Sequence, residues 1–329
     1  GSRHQPDGSL NPAMPVPRIV FLDRDSLPWP VRRPALPHQW EEYPNTATAQ
    51  RLERLQGARI AISNKVALER ELLIRLPELK LIAVSATGVN QIDVAACREL
   101  GIAVCNIRNY ADNSVAEHTL MLMLALRRKL LDYQRSVAAG EWQRADQFCL
   151  MQHPIQDLAG ATLGIVGKGA LGESVARLAR AFGMHVLFAE RKQARLLRNG
   201  YTPFDEVLQS ADVLSLHCPL TEATRQLIGA RELAQMKPGA ILINTARGAL
   251  VDAQALAGAL SNYSIAGAGI DVLEHEPPQA GSPLLAPLPN LIVTPHCAWL
   301  GSGALAALAE QLIGNIEAFL RGEARNLVT

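Results

Sequence analysis

Short apolar, β-branched runs recur along this chain with stretches of helical period between them, and that alternation constrains the fold more than any other feature. From residue 160 onward the runs fall at 162–166, 185–189, 213–216, 240–244, 266–271 and 291–294. Near-continuous apolar strands joined by helices mark a parallel sheet covered on both faces. Six of them predict one doubly wound α/β sheet. In the first third, strands are expected at 18–22, 59–63, 79–85 and 102–106, with helices at 47–55 and 94–100, which predicts a smaller α/β unit. A chain of 329 residues has the length for two such domains.

Between the units, Ser114-Val-Ala-Glu117 has the spacing of a capping box, so a helix is expected to start there. It continues through HTLMLMLALRR with apolar residues on nearly every side, which predicts packing against a second copy of the chain, a homodimer. Near the end, Leu305, Leu308, Leu312, Ile316 and Phe319 stand at helical spacing before Gly322, and the resulting amphipathic helix must dock on an earlier element. Residues 1–13 are polar and lack an apolar stretch, so they resemble an expression-tag remnant ahead of a start near Met14 rather than a signal peptide.

The strongest local signal is Gly167-Lys-Gly169-Ala170-Leu171-Gly172, which follows one predicted strand and opens a predicted helix. In that context Gly167 allows the tight turn, Gly169 removes a side chain that would block a pyrophosphate, and Gly172 lets helix and strand approach closely. The helix N-terminus adds free amides and a positive dipole end. An ATP-binding loop is disfavoured, because Glu173 stands where its phosphate-binding lysine would be. The pattern predicts a dinucleotide, NAD or NADP. At the end of the next strand, Glu190 can accept hydrogen bonds from ribose hydroxyls, which favours NAD, whereas Arg191 and Lys192 can pair with the 2′-phosphate of NADP. The lean is to NAD, since a carboxylate aimed into the ribose site repels a phosphate.

Three further strand ends each carry an ionisable residue toward the crevice where an open α/β sheet binds its ligands: Arg247, Glu276 and His296. Hydride transfer to a 2-keto acid needs such a set. A guanidinium grips the carboxylate and polarises the ketone, while an imidazolium protonates the new hydroxyl. A carboxylate beside the imidazole favours its protonated form.

These residues lie in the motifs GKGALG at 167–172, NTARG at 244–248, DVLEHEP at 271–277, TPH at 294–296, LHCPLT at 216–221 and SATGVNQID at 85–93. With them the chain resembles the D-isomer-specific 2-hydroxyacid dehydrogenases, in the glycerate dehydrogenase and hydroxypyruvate reductase branch. The resemblance implies a Rossmann cofactor domain at 111–298. It also implies a smaller, discontinuous flavodoxin-like substrate domain built from 14–110 and 299–329, with closure between the two excluding water. It makes Arg247 the substrate-binding arginine, Glu276 the carboxylate partner and His296 the acid/base. Asp271 would hold the nicotinamide carboxamide, and Ala170, Leu171, Cys218, Pro219, Thr245 and Ala246 would line the cofactor. The backbone at Ala86, Thr87 and Gly88 matches the family's carboxylate-binding loop, and Asn64 and Lys65 match the neighbouring substrate loop. Two departures stand out. Ala189 occupies the position where NAD-preferring relatives place Asp, and no regulatory tail is expected after residue 329.

Other classes fit less well. Thirty-two Lys and Arg against 31 Asp and Glu, interleaved along the chain, give a net charge of +1 and no nucleic-acid stripe. Five cysteines at 97, 105, 149, 218 and 297 form no C-x-x-C pair, which predicts reduced thiols, a cytoplasmic setting and no structural zinc. Residues 277–308 lack charge but hold prolines that break any spanning helix, so no membrane segment is expected. His217, His118 and His153 read as satisfied structural histidines, Cys297 as a small buried thiol, and Trp142 as either a dimer contact or a visitor to a neighbouring site. The rivals are a D-lactate-type or bulkier 2-hydroxyacid dehydrogenase, and a dinucleotide-sensing interaction protein on the same fold.

Overall fold

The structure, a computed structural model, describes residues 16–329; the expectation for residues 1–13 lies outside them. The described residues form two compact units, one running to Tyr110 and including Leu305–Thr329, the other Ala111–Ala304.

The first unit is a five-stranded parallel sheet in the order β2-β1-β3-β4-β5. Its strands are β1 (Arg18–Phe21), β2 (Gln39–Glu42), β3 (Ile60–Ser63), β4 (Leu81–Val84) and β5 (Ala103–Cys105). That is the flavodoxin-like winding. Strand β2 was not foreseen, because Gln-Trp-Glu-Glu has no apolar run; it is an edge strand that pairs with β1 alone and stays partly exposed. The helix Ser302–Leu320 supplies buried Leu308, Leu312 and Ile316, and Gly322 at φ 81 ends it. The helix and the chain beyond it are both tied to the sheet, the Asn315 side-chain amide donating to the Asn106 carbonyl at 3.0 Å and Leu327 bridging Cys105. Arg32 clasps Glu310 and Glu317 of the same helix, and its guanidinium holds the Glu317 carboxyl down at about 2.

The second unit carries β6 (Thr162–Val166), β7 (His185–Ala189), β8 (Val213–Leu216), β9 (Ile241–Asn244), β10 (Gly267–Ile270) and β11 (Leu291–Val293). They form one parallel sheet in the order β11-β10-β9-β8-β6-β7. Alternate residues serve opposite faces: Leu214 and Leu242 enter one core, Val213, Ile241 and Ile243 the other. The Gly-Ala-Gly-Ile sequence of β10 lets the helix Asp112–Arg127 sit directly on the sheet, since a Cβ at Gly269 would stand 3.0 Å from Leu122 Cβ.

That helix corrects one expectation. It starts at Asp112, and Ser114 caps nothing; its hydroxyl donates to the Ala298 carbonyl at 3.0 Å and accepts from the Gly301 amide at 3.1 Å. Two tertiary partners outcompete a local cap. The helix is also one-sided, with Ala116, Leu120, Leu122 and Met123 buried and Met121 46% exposed. Among the described residues no helix is long and apolar enough to cross a membrane.

Candidate active site

The strand order of the second unit reverses direction between β6 and β8, so the loops after these two strands flank the crevice at the carboxyl edge of the sheet. The turn after β6 is fixed by close approach. Gly167 has φ 103, and a Cβ there would meet the His217 carbonyl oxygen at 2.5 Å, in the loop after β8. A Cβ on Gly172 would fall 2.0 Å from the Gly167 oxygen, so glycine at 172 is what lets the helix Ala170–Ala181 start this near the strand. Gly169, by contrast, faces open space within 4 Å. The first-turn amides of Ala170 and Leu171 have no partner inside the helix and border that space. The cradle therefore fits a pyrophosphate.

Across the sheet, Asn244 ends β9 and organises the next turn: its side-chain oxygen accepts from the Ala246 amide and its nitrogen donates to the Arg247 carbonyl at 2.9 Å. Thr245 is buried, its hydroxyl 3.2 Å from that of Thr119, while Arg247 is exposed and its guanidinium donates to the Ala246 carbonyl at 2.7 Å. Gly248 then packs on the loop after β10 so tightly that a Cβ would overlap the backbone of Leu273 and Glu274. In that loop one oxygen of Glu276 accepts from the Leu273 amide at 2.7 Å, and the other lies 2.5 Å from Nδ1 of His296. Arg247, Glu276 and His296 are thus linked through contiguous contacts on one rim of one sheet. The His296 and Glu276 side chains remain 36% and 32% exposed, open to a small molecule.

His296 itself has φ 53, an unusual state for a non-glycine residue. Asp271 holds it there. The Asp271 carbonyl accepts from the His296 amide at 2.8 Å, and its carboxylate, 1% exposed, accepts from the Thr294 hydroxyl and from the amides of Cys297 and Ala298 at 3.0 Å each. The His118 ring completes the brace with Nε2 2.9 Å from Thr294 Oγ1. The Asp271 carboxylate is thereby committed to the loop that carries His296. Ligand atoms of His118, Asp271 and Cys297 lie within 4.8 Å of one another, but most of the carboxylate's lone pairs are filled, and burial, with Asp271 beside it, pushes the Cys297 thiol up and keeps it protonated.

A family model described as "D-isomer specific 2-hydroxyacid dehydrogenase, NAD binding domain" matches residues 120–298. The chain belongs to the D-isomer-specific 2-hydroxyacid dehydrogenase family. It is 50% identical over 313 residues to a glycerate dehydrogenase of Methylorubrum extorquens, covering 94% of this chain and 98% of that one. A hydroxypyruvate reductase of Blautia hydrogenotrophica is 34% identical over 280 residues, covering 84% of this chain and 87% of the other. The crystal structure of a glyoxylate reductase from Paecilomyes thermophila superposes with a TM-score of 0.79 at 30% identity, covering 96% and 99% of the two chains.

As a 2-hydroxyacid dehydrogenase the chain takes NAD or NADP, and the adenosine end of its site departs from the sequence reading. Glu190 is 4% exposed and saturated. One oxygen accepts from the Arg191 amide at 2.8 Å and from Arg198 Nη2 at 2.6 Å, the other from the Arg198 amide at 3.0 Å and from Arg198 Nε at 2.8 Å. The Arg198 guanidinium, then the Arg191 amide, hold its carboxyl down at about 2. Glu190 is therefore not the free ribose acceptor expected above, and its charge is already matched. Lys192 is spent as well, its ammonium 2.8 Å from buried Glu232. Nothing local in the sequence singles out Arg198, since it returns to Glu190 through an irregular loop.

Other positions of the dehydrogenase fall as follows. Cys218 and Pro219 follow β8 beside the glycine turn, and burial pushes the Cys218 thiol up to about 11. His217 is not fully satisfied: Nε2 meets Ser215 Oγ at 2.7 Å, Nδ1 is buried without a partner, and burial lowers its pKa to about 4, so it is neutral at pH 7. His153 lies 3.1 Å from Ser136 Oγ. Trp142 is 53% exposed and donates to the Phe148 carbonyl.

In the smaller unit, Asn64–Lys65 and Ala86–Gly88 follow the adjacent parallel strands β3 and β4, which brings the two loops to one sheet edge. The amides of Asn64 and Lys65 donate to the buried Asp23 carboxylate at 3.0 and 2.7 Å, and the Asn64 side chain turns inward to the Ser26 carbonyl. Thr87 donates to the Ile107 carbonyl at 2.8 Å, and the Ile107 amide returns to Ala86. Both loops are rigidly anchored.

Proposed function

We propose that this chain is an NAD(P)-dependent reductase of small 2-keto acids, interconverting hydroxypyruvate and D-glycerate or glyoxylate and glycolate. The observation that carries the proposal is the His296–Glu276 contact at 2.5 Å, in a loop packed against the one that presents Arg247. The relatives' names point to the same small, polar substrates.

In this reading Arg247 swings from the Ala246 carbonyl to grip the substrate carboxylate in a fork and polarise the ketone. His296 donates the proton that the new alkoxide needs, from Nε2, because Nδ1 is held by Glu276. The charge of Glu276 stabilises the imidazolium before transfer; in oxidation the neutral ring takes the proton back. The bound dinucleotide supplies or accepts the hydride. The glycine cradle at Gly167, Gly169 and Gly172 holds the pyrophosphate, with Ala170, Leu171, Cys218, Pro219, Thr245 and Ala246 around the cofactor. Asp271 positions the His296 loop, and the loops at Asn64–Lys65 and Ala86–Gly88 take part in substrate binding.

The reading extends to a cytoplasmic homodimer. Leu130, Leu131, Val137, Phe148, Met151 and Ile155 are all more than 40% exposed, a density of apolar surface that supports a partner copy. Sedimentation equilibrium showing a monomer at micromolar concentration would remove the dimer. The function is tested by following nicotinamide absorbance with hydroxypyruvate, glyoxylate and pyruvate. His296→Ala is expected to lower kcat by about 10²–10⁴-fold, and Arg247→Ala to lower kcat/KM by on the order of a hundredfold. Undiminished turnover in both variants contradicts the proposal.

A further inference from the structure

At the amino ends of β9, β10 and β11, on the opposite edge of the larger sheet from Arg247, Glu276 and His296, a cavity of about 230 Å³ lies wholly within Ala111–Ala304. Ile241, Ala266 and Ile292 line it with apolar surface, while Arg127, Lys129 and Asp132 come from the junction of the helices Asp112–Arg127 and Leu130–Ala138. Arg127 is 9% exposed, and burial pulls its pKa below the ordinary arginine value. Its Nε and Nη2 donate to the Asp157 carbonyl at 3.2 and 2.7 Å. The acids whose charge it feels are committed elsewhere, the Asp157 carboxylate to Arg128 at 2.7 Å and that of Asp212 to Lys237 at 3.1 Å. Among the described residues no carboxylate forms an ion pair with Arg127 or with Lys129. A buried cation without a counter-ion is costly. Lys129, at φ 56, stands at the N-cap of the helix Leu130–Ala138, and its side chain caps nothing. The first-turn amides of that helix have no partner inside it, and their positive dipole end adds to the two cations. Two acceptors complete the lining. Asn290, 8% exposed, donates through Nδ2 to the Leu260 carbonyl at 3.1 Å, which leaves Oδ1 buried without a partner. Asp132 accepts from Arg135 through Oδ1 at 2.6 Å and keeps its second oxygen.

We propose that this cavity is a second, non-catalytic site, which takes a small carboxylate bearing a hydroxyl or ammonium group on the adjoining carbon. The carboxylate supplies the counter-charge that Arg127, Lys129 and the helix N-terminus lack, and the neighbouring donor finds Asp132 or Asn290. The volume admits an acid of a few carbons, since sites for drug-sized ligands run to roughly 300–1,000 Å³. Leu131 also lines the cavity and belongs to the apolar surface assigned above to a second copy, which makes that copy the competing occupant. An apolar face, however, brings no charge to match two cations.

The test is titration calorimetry on the Arg247→Ala chain, whose catalytic rim lacks the guanidinium proposed to grip a substrate carboxylate, with D-lactate, D-alanine and propionate as probes. D-lactate or D-alanine is expected to bind at one site per chain, and the tighter of the two tells whether the site prefers a hydroxyl or an ammonium. Propionate, which has no such donor, is expected to bind at least about tenfold more weakly. Adding Lys129→Gln is expected to weaken the binding by at least about fivefold, and adding Arg127→Met to abolish it, with circular dichroism verifying the fold. Should Arg127→Met fail to fold, the half-buried Lys129 still decides the matter. Binding untouched by Lys129→Gln overturns the proposal, as does propionate bound as tightly as the other two. So does the absence of binding by every probe, which is the result expected if a second copy fills the cavity. None of these outcomes touches the dehydrogenase reading, which the nicotinamide assay tests separately.

Discussion

Each charged residue of the active edge is placed by a neighbour whose role sequence alone does not disclose. Asp271 is the clearest example, with its carboxylate collecting the Thr294 hydroxyl and two consecutive amides so that His296 stays in a left-handed backbone state. Asp271→Asn removes one acceptor and turns a donor toward donors. The expected result is a loss of about 1–3 kcal/mol in urea denaturation, with kcat reduced because His296 is no longer held. Glu190 offers a pH test. Its folded pKa, about 2, lies below the ordinary carboxylate value of 4.5, so its ionic contribution to stability is complete above that range and disappears as pH falls toward 2. A carboxyl carbon titration by NMR should place the Glu190 midpoint near 2 in wild type and back in the ordinary carboxylate range in Arg198→Ala. A midpoint that does not move would mean that Arg198 is not its partner in solution. The placement of Arg247, Glu276 and His296 on one edge of one sheet was legible because each follows an apolar strand in a parallel sheet. Arg198 was not, because its pairing depends on the path of an irregular loop, and Ser114 was misread because a local cap and a tertiary contact look alike in one dimension.

At the level of elements, the strand–turn–helix at β6 is the joint on which the cofactor reading depends. Three glycines serve three different ends there: a positive φ, an open floor and a helix-to-strand approach closer than any side chain permits. Gly172→Ala must push the helix Ala170–Ala181 outward, because its Cβ would sit 2.0 Å from a backbone oxygen. The expected loss is roughly 1–3 kcal/mol of stability, together with dinucleotide binding weakened by at least tenfold in fluorescence titration. Retained affinity would show that the helix start is not where the pyrophosphate rests. The six strands of the larger sheet follow from apolar runs of the right length, and their limits differ from expectation by a residue or two at most. Strand β2 escaped because an edge strand needs only backbone pairing, which a polar sequence provides as well as an apolar one.

For the molecule as a whole, two sheets wound with the same opening order give this chain two carboxyl edges furnished with loops, and the proposed acid/base residues stand on that of the larger sheet. The central claim is that His296 and Glu276 act as one acid/base unit on a keto acid held by Arg247. A double-mutant cycle measures this directly, with single-turnover reduction of hydroxypyruvate followed in wild type, Glu276→Gln, His296→Ala and the double variant. If the carboxylate works through the imidazole, the double variant will be no slower than His296→Ala alone, because removing the ring leaves the carboxylate nothing to assist. If the two losses multiply in full, the residues act separately and the account is wrong.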